Sequence, residues 1–292
     1  MNMILKIQSV YNQFTKAEKK VADYCLQHRE EVPFLSITDL ADACGVGDTS
    51  VYRFCRTLKL EGYQEFKMKF SLAQGTASME AQLMRGGALG QAGAGDAAQD
   101  AAAPTELARR VLETHQNAIA ETYMMLDREE LEKVLIMFDN AKRVYFFGIG
   151  DSLLVAQEAM SKFLRITGKV NCIQDPHMQA VAAAMMNEED LVFIISYSGA
   201  TKDNLQVAKI AKDSGAKVAA ISHFMKSPLT AYCDAVLLCG AKEGPLDGGS
   251  MSAKLGQLYL IDLLYQGFYE RNMQECVENN QKASAAVMEK LL

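Results

Sequence analysis

From Ala141 to Leu238, short apolar runs alternate with stretches of helical period, and this alternation constrains the fold more than any other feature of the chain. The apolar runs fall at 143–147, 169–173, 191–195, 217–221 and 235–238, and the helical stretches at 153–166, 178–186, 204–211 and 229–232. Strand, helix, strand repeated in this way means parallel strands joined by right-handed crossovers, with helices on both faces. Two more helices are expected at 251–268 and 274–292. The expected domain is a three-layer α/β fold with a five-stranded parallel sheet wound in the flavodoxin-like manner.

What precedes the sheet reads differently. Residues 1–74 carry only short helical patterns. Thr15-Lys16-Ala17-Glu18 has capping-box spacing, and Val21, Tyr24, Cys25 and His28 follow on one face, so a helix opens near Lys16 and closes before Pro33. Ser36 or Thr38 caps a second helix that Gly45 ends. After the turn Gly45-Val46-Gly47, a third runs from about Asp48 to Leu58 with Val51, Phe54 and Leu58 at core spacing. Helix, glycine turn, helix is the helix-turn-helix pattern of an all-α DNA-binding unit. The outward face of its second helix offers Asp48, Thr49, Ser50, Tyr52, Arg53 and Arg56, with Lys59 just beyond, for phosphates and base edges. The competing reading is a solvated face on a small bundle. Residues 75–104 turn to Gly, Ala, Ser and Gln and are expected to be a flexible linker. Two helices through 105–140, capped by Thr105 and Asp127, then lead into the α/β domain, so that domain is taken to span 105–292.

Charge narrows the partners. The chain carries a net −6, which excludes indiscriminate coating of nucleic acid, yet residues 1–74 hold 10 Lys/Arg against 9 Asp/Glu. A local basic face fits between Arg53 and Lys69 although the unit as a whole is near neutral. No apolar run reaches the roughly 18 residues of a membrane span, and the start of the chain lacks a signal-peptide core, so a cytoplasmic protein without a membrane partner is expected. The 7 cysteines are scattered with no CxxC pair, and the 4 histidines form no HExxH; reduced thiols and neither metal nor cofactor are expected.

Two strand ends carry the candidate ligand chemistry. The first, Arg143 to Ser152, runs RVYFFGIGDS; Gly148 and Gly150 allow close backbone approach, and Ser152 stands where a helix begins. The third glycine of a dinucleotide fingerprint is missing, since position 153 is Leu, which points to a smaller phosphorylated ligand than NAD. The second, LVFIISYSGAT, places Ser196, Ser198, Gly199 and Thr201 around another helix start. Three hydroxyls and several amides make a neutral cradle for a phosphate dianion. The rival reading is a plain capping turn, because Ser and Thr favour helix starts anyway.

In this order, helix-turn-helix, linker, two helices, GIGDS and SYSGAT, the chain resembles the RpiR family of bacterial transcriptional regulators, whose second domain is a sugar isomerase (SIS) domain. The resemblance implies a regulator of carbohydrate metabolism, a homodimer or homotetramer on palindromic operator DNA, whose affinity a bound phosphosugar controls; it implies no catalytic residues. It extends the phosphosugar site to His177, Glu243, Ser250 and Lys254, the last keeping the charge where the family often has arginine. Gly47 stands where the family commonly has a capping serine, so Asp48 or Thr49 is expected to cap the recognition helix. The alternative function is a sugar-phosphate isomerase with an accessory helical domain, in which Glu243 or His177 would move the proton. A third reading is a sensor that binds a protein partner through residues 1–74.

Overall fold

The computed structural model describes residues 3–73, 104–241 and 251–288. The chain divides into two compact units, one of residues up to Glu113 and one of Thr114–Ala241 together with the residues from Gly249 on.

The first unit is all helical: α1 (Met3–Ser9), α2 (Lys16–Gln27), α3 (Ile37–Cys44), α4 (Asp48–Thr57) and α5 (63–73). The capping box at α2 forms as the spacing requires, with Glu18 N–H donating to Thr15 Oγ1 and Thr15 N–H to the Glu18 carboxylate. At α3 the box is closed by Ser36 and Asp39, not Thr38. Gly45 ends α3 at φ +60°, a left-handed conformation that suits glycine, and Val46 N–H donates back to Ala41 O at 3.0 Å. The core is aromatic: the Phe54 ring of α4 packs 5.1 Å from Phe14 and 5.4 Å from Phe66, which lies 5.2 Å from Phe70. Two of these rings come from α5. Neither α1 nor α5 was assigned from the sequence, although Met3/Ile7 and Tyr63/Phe66/Phe70 have helical spacing.

The second unit is built on β1 (Arg143–Gly148), β2 (Val170–Asn171), β3 (Asp190–Ile195), β4 (Lys217–Ser222) and β5 (Ala235–Leu238), all parallel, in the order β2-β1-β3-β4-β5. Helices α6 (Pro104–Met124) and α7 (Arg128–Asn140) precede the sheet. Between strands come α8 (Asp151–Phe163), α9 (Pro176–Ala184) and α10 (Lys202–Asp213), and after them α11 (Met251–Arg271) and α12 (Met273–Met288). The period of two sorts the buried strand residues onto two faces: Val144, Phe146, Phe193 and Ile195 join the core under α7, α8 and α11, while Phe147, Val192 and Ile194 join the one under α9 and α10. That is the three-layer arrangement expected. The winding leaves β1 in opposite directions toward β2 and β3, so the crevice at their carboxyl ends is a topological switch point.

Several boundaries differ from expectation. The second strand shrinks from 169–173 to Val170–Asn171, since it lies at the sheet edge and pairs with β1 alone. Residues 229–232 give a single 3₁₀ turn, Thr230–Tyr232. Helix α6 opens at Pro104, so Thr105 lies within it instead of capping it, and the last residue of the expected linker is helical. The rest of that linker lies outside the described residues.

Candidate functional site

On α4, the apolar positions Val51, Phe54 and Cys55 are buried, and the opposite side turns Asp48, Thr49, Tyr52, Arg53 and Arg56 to solvent, with Ser50 half-buried. Lys59, at φ +56°, follows the helix end and is also exposed. The capping expectation fails: Gly47 is the N-cap and no side chain caps the helix. Asp48 instead accepts a hydrogen bond from Thr38 Oγ1 at 3.2 Å. The first amides of α4 are therefore unclaimed by any capping side chain, beside three exposed cations.

At the carboxyl end of the sheet, Gly148 ends β1 opposite Ile195 of β3. A Cβ at Gly148 would lie 2.7 Å from the Ser152 carbonyl group, so only glycine lets the strand end meet the start of α8 this closely. Gly150 is the N-cap of α8 at φ +61° and has no side chain to spend on the helix start; Ser152, in its first turn, is half-buried. One strand over, Ser196 is buried and its N–H donates to Ile221 O at 3.0 Å. The chain then turns, with Gly199 N–H donating to Ser196 O at 3.2 Å and Ala200 N–H to Ser198 Oγ at 3.3 Å. Gly199 sits at φ +58°, where a Cβ would be 2.1 Å from Ser227 Oγ. Thr201 is the N-cap of α10, yet its side chain makes no capping hydrogen bond.

That detail weighs against a plain capping turn. Helices α2, α3, α7 and α9 open on side chains that accept from their own amides, namely Thr15, Ser36, Asp127 and Asp175. Helices α4, α8 and α10 do not. Two of those three uncapped starts follow neighbouring strands at the switch point.

The remaining candidates are more dispersed. Lys254 on α11 reaches back to the first residue of α8, its Nζ 3.2 Å from Asp151 Oδ2. It also lines a groove of about 420 Å³ between α8 and α11 with Leu154, Leu258 and Asp262. His177, near the start of α9, is exposed and lines a separate groove of about 360 Å³ with Asp203 and Gln206 of α10. Glu243 and Ser250 lie outside the described residues.

Three residues at this end were missed. Gln179 is fully buried, its Nε2 donating to Ile173 O at 2.8 Å and to Gly148 O at 3.3 Å, which fixes the amide and leaves Oε1 buried with no partner within the protein. Asn204 Oδ1, in the first turn of α10, is in the same state. His223, immediately after β4, stacks on Tyr197 with ring centroids 4.9 Å apart. The signal for His223 was available, since it follows a strand end as Ser152 and Ser198 do. No signal in the sequence pairs Gln179 with a carbonyl 31 residues away.

Among the described residues, no three His, Cys, Asp or Glu side chains gather as a metal would require, and no helix is long and apolar enough to cross a membrane. Burial pushes the Cys55 and Cys233 thiols up to about 12, away from thiolate chemistry.

A helix-turn-helix unit followed by a doubly wound α/β domain with an anion-friendly switch point defines a class of DNA-binding regulator with a small-molecule domain. Comparison with known proteins agrees. Residues 1–78 match the helix-turn-helix domain of the rpiR family, and residues 137–266 match the SIS domain. An HTH-type transcriptional regulator of Haemophilus influenzae is 30% identical over 298 residues, covering 99% of this chain and 97% of its own. The regulator HexR of Pseudomonas aeruginosa is 31% identical over 266 residues, with 91% and 88% covered. The Vibrio vulnificus NanR protein, solved in complex with ManNAc-6P, superposes with a TM-score of 0.85 over 100% of both chains at 24% identity, sharing the fold. The chain belongs to the rpiR family of HTH-type transcriptional regulators.

Proposed function

We propose that this regulator binds a sugar phosphate at the carboxyl ends of β1 and β3 and that occupancy changes its affinity for operator DNA. The observation that carries the reading is the pair of uncapped starts, α8 and α10, on adjacent strands at the switch point. Unclaimed amides at a helix N-terminus favour an anion, and the hydroxyls of Ser152, Ser196, Ser198 and Thr201 add donors without fixed charge. Gly148, Gly150 and Gly199 let the backbone close on the phosphate, and Lys254 supplies a cation. The unpartnered acceptors of Gln179 and Asn204 are suited to sugar hydroxyls. His177, Glu243 and Ser250 are assigned to the same site by family resemblance, and the bound ManNAc-6P of NanR supports a sugar phosphate as effector.

The other half of the function is DNA. Helix α4 enters the major groove, with Arg53, Arg56 and Lys59 on phosphates or guanine edges and Thr49, Ser50 and Tyr52 beside them; Asp48 orients the helix through Thr38. A homodimer or homotetramer reads a palindromic site, as two-fold proteins do. The domain limits are 1–74 and 105–292 with a linker between, and the protein works in the cytoplasm, where its DNA is. The pocket binds without turnover.

The test is phosphorus NMR of the protein with a panel of hexose, pentose and amino-sugar phosphates. Shifted or broadened resonances with no new species are expected. A second phosphorus resonance growing with time would replace the regulator with an isomerase.

A further inference from the structure

Tyr197 lies between the two serines of the proposed phosphate turn, yet its side chain points its chemistry elsewhere. Its hydroxyl donates to the carbonyl of Ala241, 44 residues on, at 2.7 Å. Its ring lies nearly parallel to that of His223, at 9°, and His223 Nδ1 is 2.9 Å from the Cys239 carbonyl oxygen. Its own carbonyl accepts from His223 N–H at 3.0 Å and Ser222 Oγ at 3.2 Å. The residue is thus gripped by the ends of β4 and β5 while its backbone forms part of the turn.

Ala241 is the other end of that bond, and it is strained. At φ +73° it is one of two non-glycine residues in the described chain with a left-handed backbone, a conformation that persists only where the surroundings impose it. Its N–H donates to Glu121 Oε2 at 3.0 Å, and the preceding Gly240 N–H donates to Thr122 Oγ1 at 2.9 Å. Both acceptors belong to the last turns of α6. The contact has no slack: a Cβ at Gly240 would sit 2.6 Å from Glu121 Cβ, and one at Gly256 of α11 2.6 Å from Thr122 Oγ1. A single strained peptide is therefore held between a donor on the phosphate turn and an acceptor on the helix that precedes the sheet in the chain.

We propose that Tyr197, Ala241 and Glu121 form the relay through which a ligand in the β3–α10 turn acts on α6. A group gripping Ser196, Ser198 and Thr201 repositions the Tyr197 phenol. Ala241 then keeps or releases its left-handed state, and the docking of α6 through Glu121 follows. Such an element satisfies what coupling requires, two discrete arrangements that the ligand site biases. Tyr197 and Glu121 are positioning residues here. The inference rests on the phosphosugar reading of that turn.

Hydrogen–deuterium exchange of the full chain, with and without ManNAc-6P and glucose 6-phosphate, separates the two claims. In the wild type, ligand is expected to slow exchange at 196–201 and to change it by about fivefold or more at 114–124. Tyr197→Phe keeps the ring stack and removes only the hydroxyl; it should retain the response at 196–201 and lose the one at 114–124. Glu121→Ala, on an exposed position, should do the same without risk to the core. A wild type that responds at 196–201 with α6 silent overturns the relay, as does a Tyr197→Phe protein that keeps the α6 response or loses ligand binding. A wild type silent at 196–201 with both of these sugar phosphates, and with the panel used for phosphorus NMR, sinks the phosphosugar reading instead, and the relay with it.

Discussion

The start of α4 and the start of α10, the two anion sites proposed above, differ in what surrounds them. Both leave their first amides without a side-chain cap. Around α4, three cations, Arg53, Arg56 and Lys59, stand exposed on the surface. Around α10 stand the hydroxyls of Ser198 and Thr201, backbone amides and a buried serine, with exposed Lys202 and Asp203 offsetting each other in the first turn, and the cation assigned to the pocket, Lys254, is paired with Asp151. An extended polyanion is caught by mobile surface charge, which reaches far and is screened by salt; a single dianion is caught by fixed dipoles at contact, which select shape and are screened little.

Salt breaks or sharpens this contrast most strongly. If a dimer sets Arg53, Arg56 and Lys59 of both copies on phosphates, operator affinity should fall about a thousandfold between 50 and 200 mM salt. Sugar-phosphate affinity over the same range should change by only about twofold. Fluorescence anisotropy of labelled operator and calorimetry of the ligand measure the pair, and Arg53→Ala, which removes one cation from each copy, should lower the DNA slope by about two. Equal slopes would erase the distinction between the two sites.

Next in size is the geometry of the neutral cradle. Gly199→Ala adds a Cβ 2.1 Å from Ser227 Oγ on a backbone at φ +58°, so both sterics and conformation oppose it. A loss of about 3 kcal/mol in folding stability of the α/β domain is expected, read by urea denaturation. Gly47→Ala, at the start of α4, has φ −88° and only Thr49 Oγ1 at 3.8 Å near the new Cβ, and should cost about 1 kcal/mol or less, the preference for glycine over alanine at an N-cap. If the two substitutions cost the same, the α10 turn is not built around its glycine.

Much of this was legible in the chain itself. The sheet could be read because five apolar runs alternate with helical stretches, and α2 and α3 because their capping boxes are local, three residues apart. The serines and glycines of the two strand ends could be read as candidates because the rule that ligands sit at strand carboxyl ends needs only strand positions. What could not be read depends on register and on distance along the chain. His223 meets Tyr197 because β3 and β4 lie side by side, and Tyr197 reaches Ala241 across 44 residues. The cap of α4 was misassigned because Asp48 had a better partner in Thr38, ten residues back, than in its own helix.

The smallest effect separates capping from ligand binding, and it does so with one residue type. Thr15 caps α2: its Oγ1 accepts from Glu18 N–H, so Thr15→Ala should cost about 1 kcal/mol of stability whether or not ligand is present. Thr201 stands at the same position of α10 but makes no capping bond. Thr201→Ala should therefore leave the ligand-free melting temperature nearly unchanged, because no intrahelical bond is lost. If its hydroxyl donates to a bound phosphate, the same change should remove about 1 to 2 kcal/mol of sugar-phosphate affinity, the worth of a hydrogen bond to a charged group. Thermal melts with and without the sugar phosphate read both quantities at once, since a ligand that binds the folded state raises the transition by an amount that grows with the logarithm of its concentration over its Kd. A Thr201→Ala protein that melts lower without ligand and binds ligand as before would return this turn to ordinary helix capping.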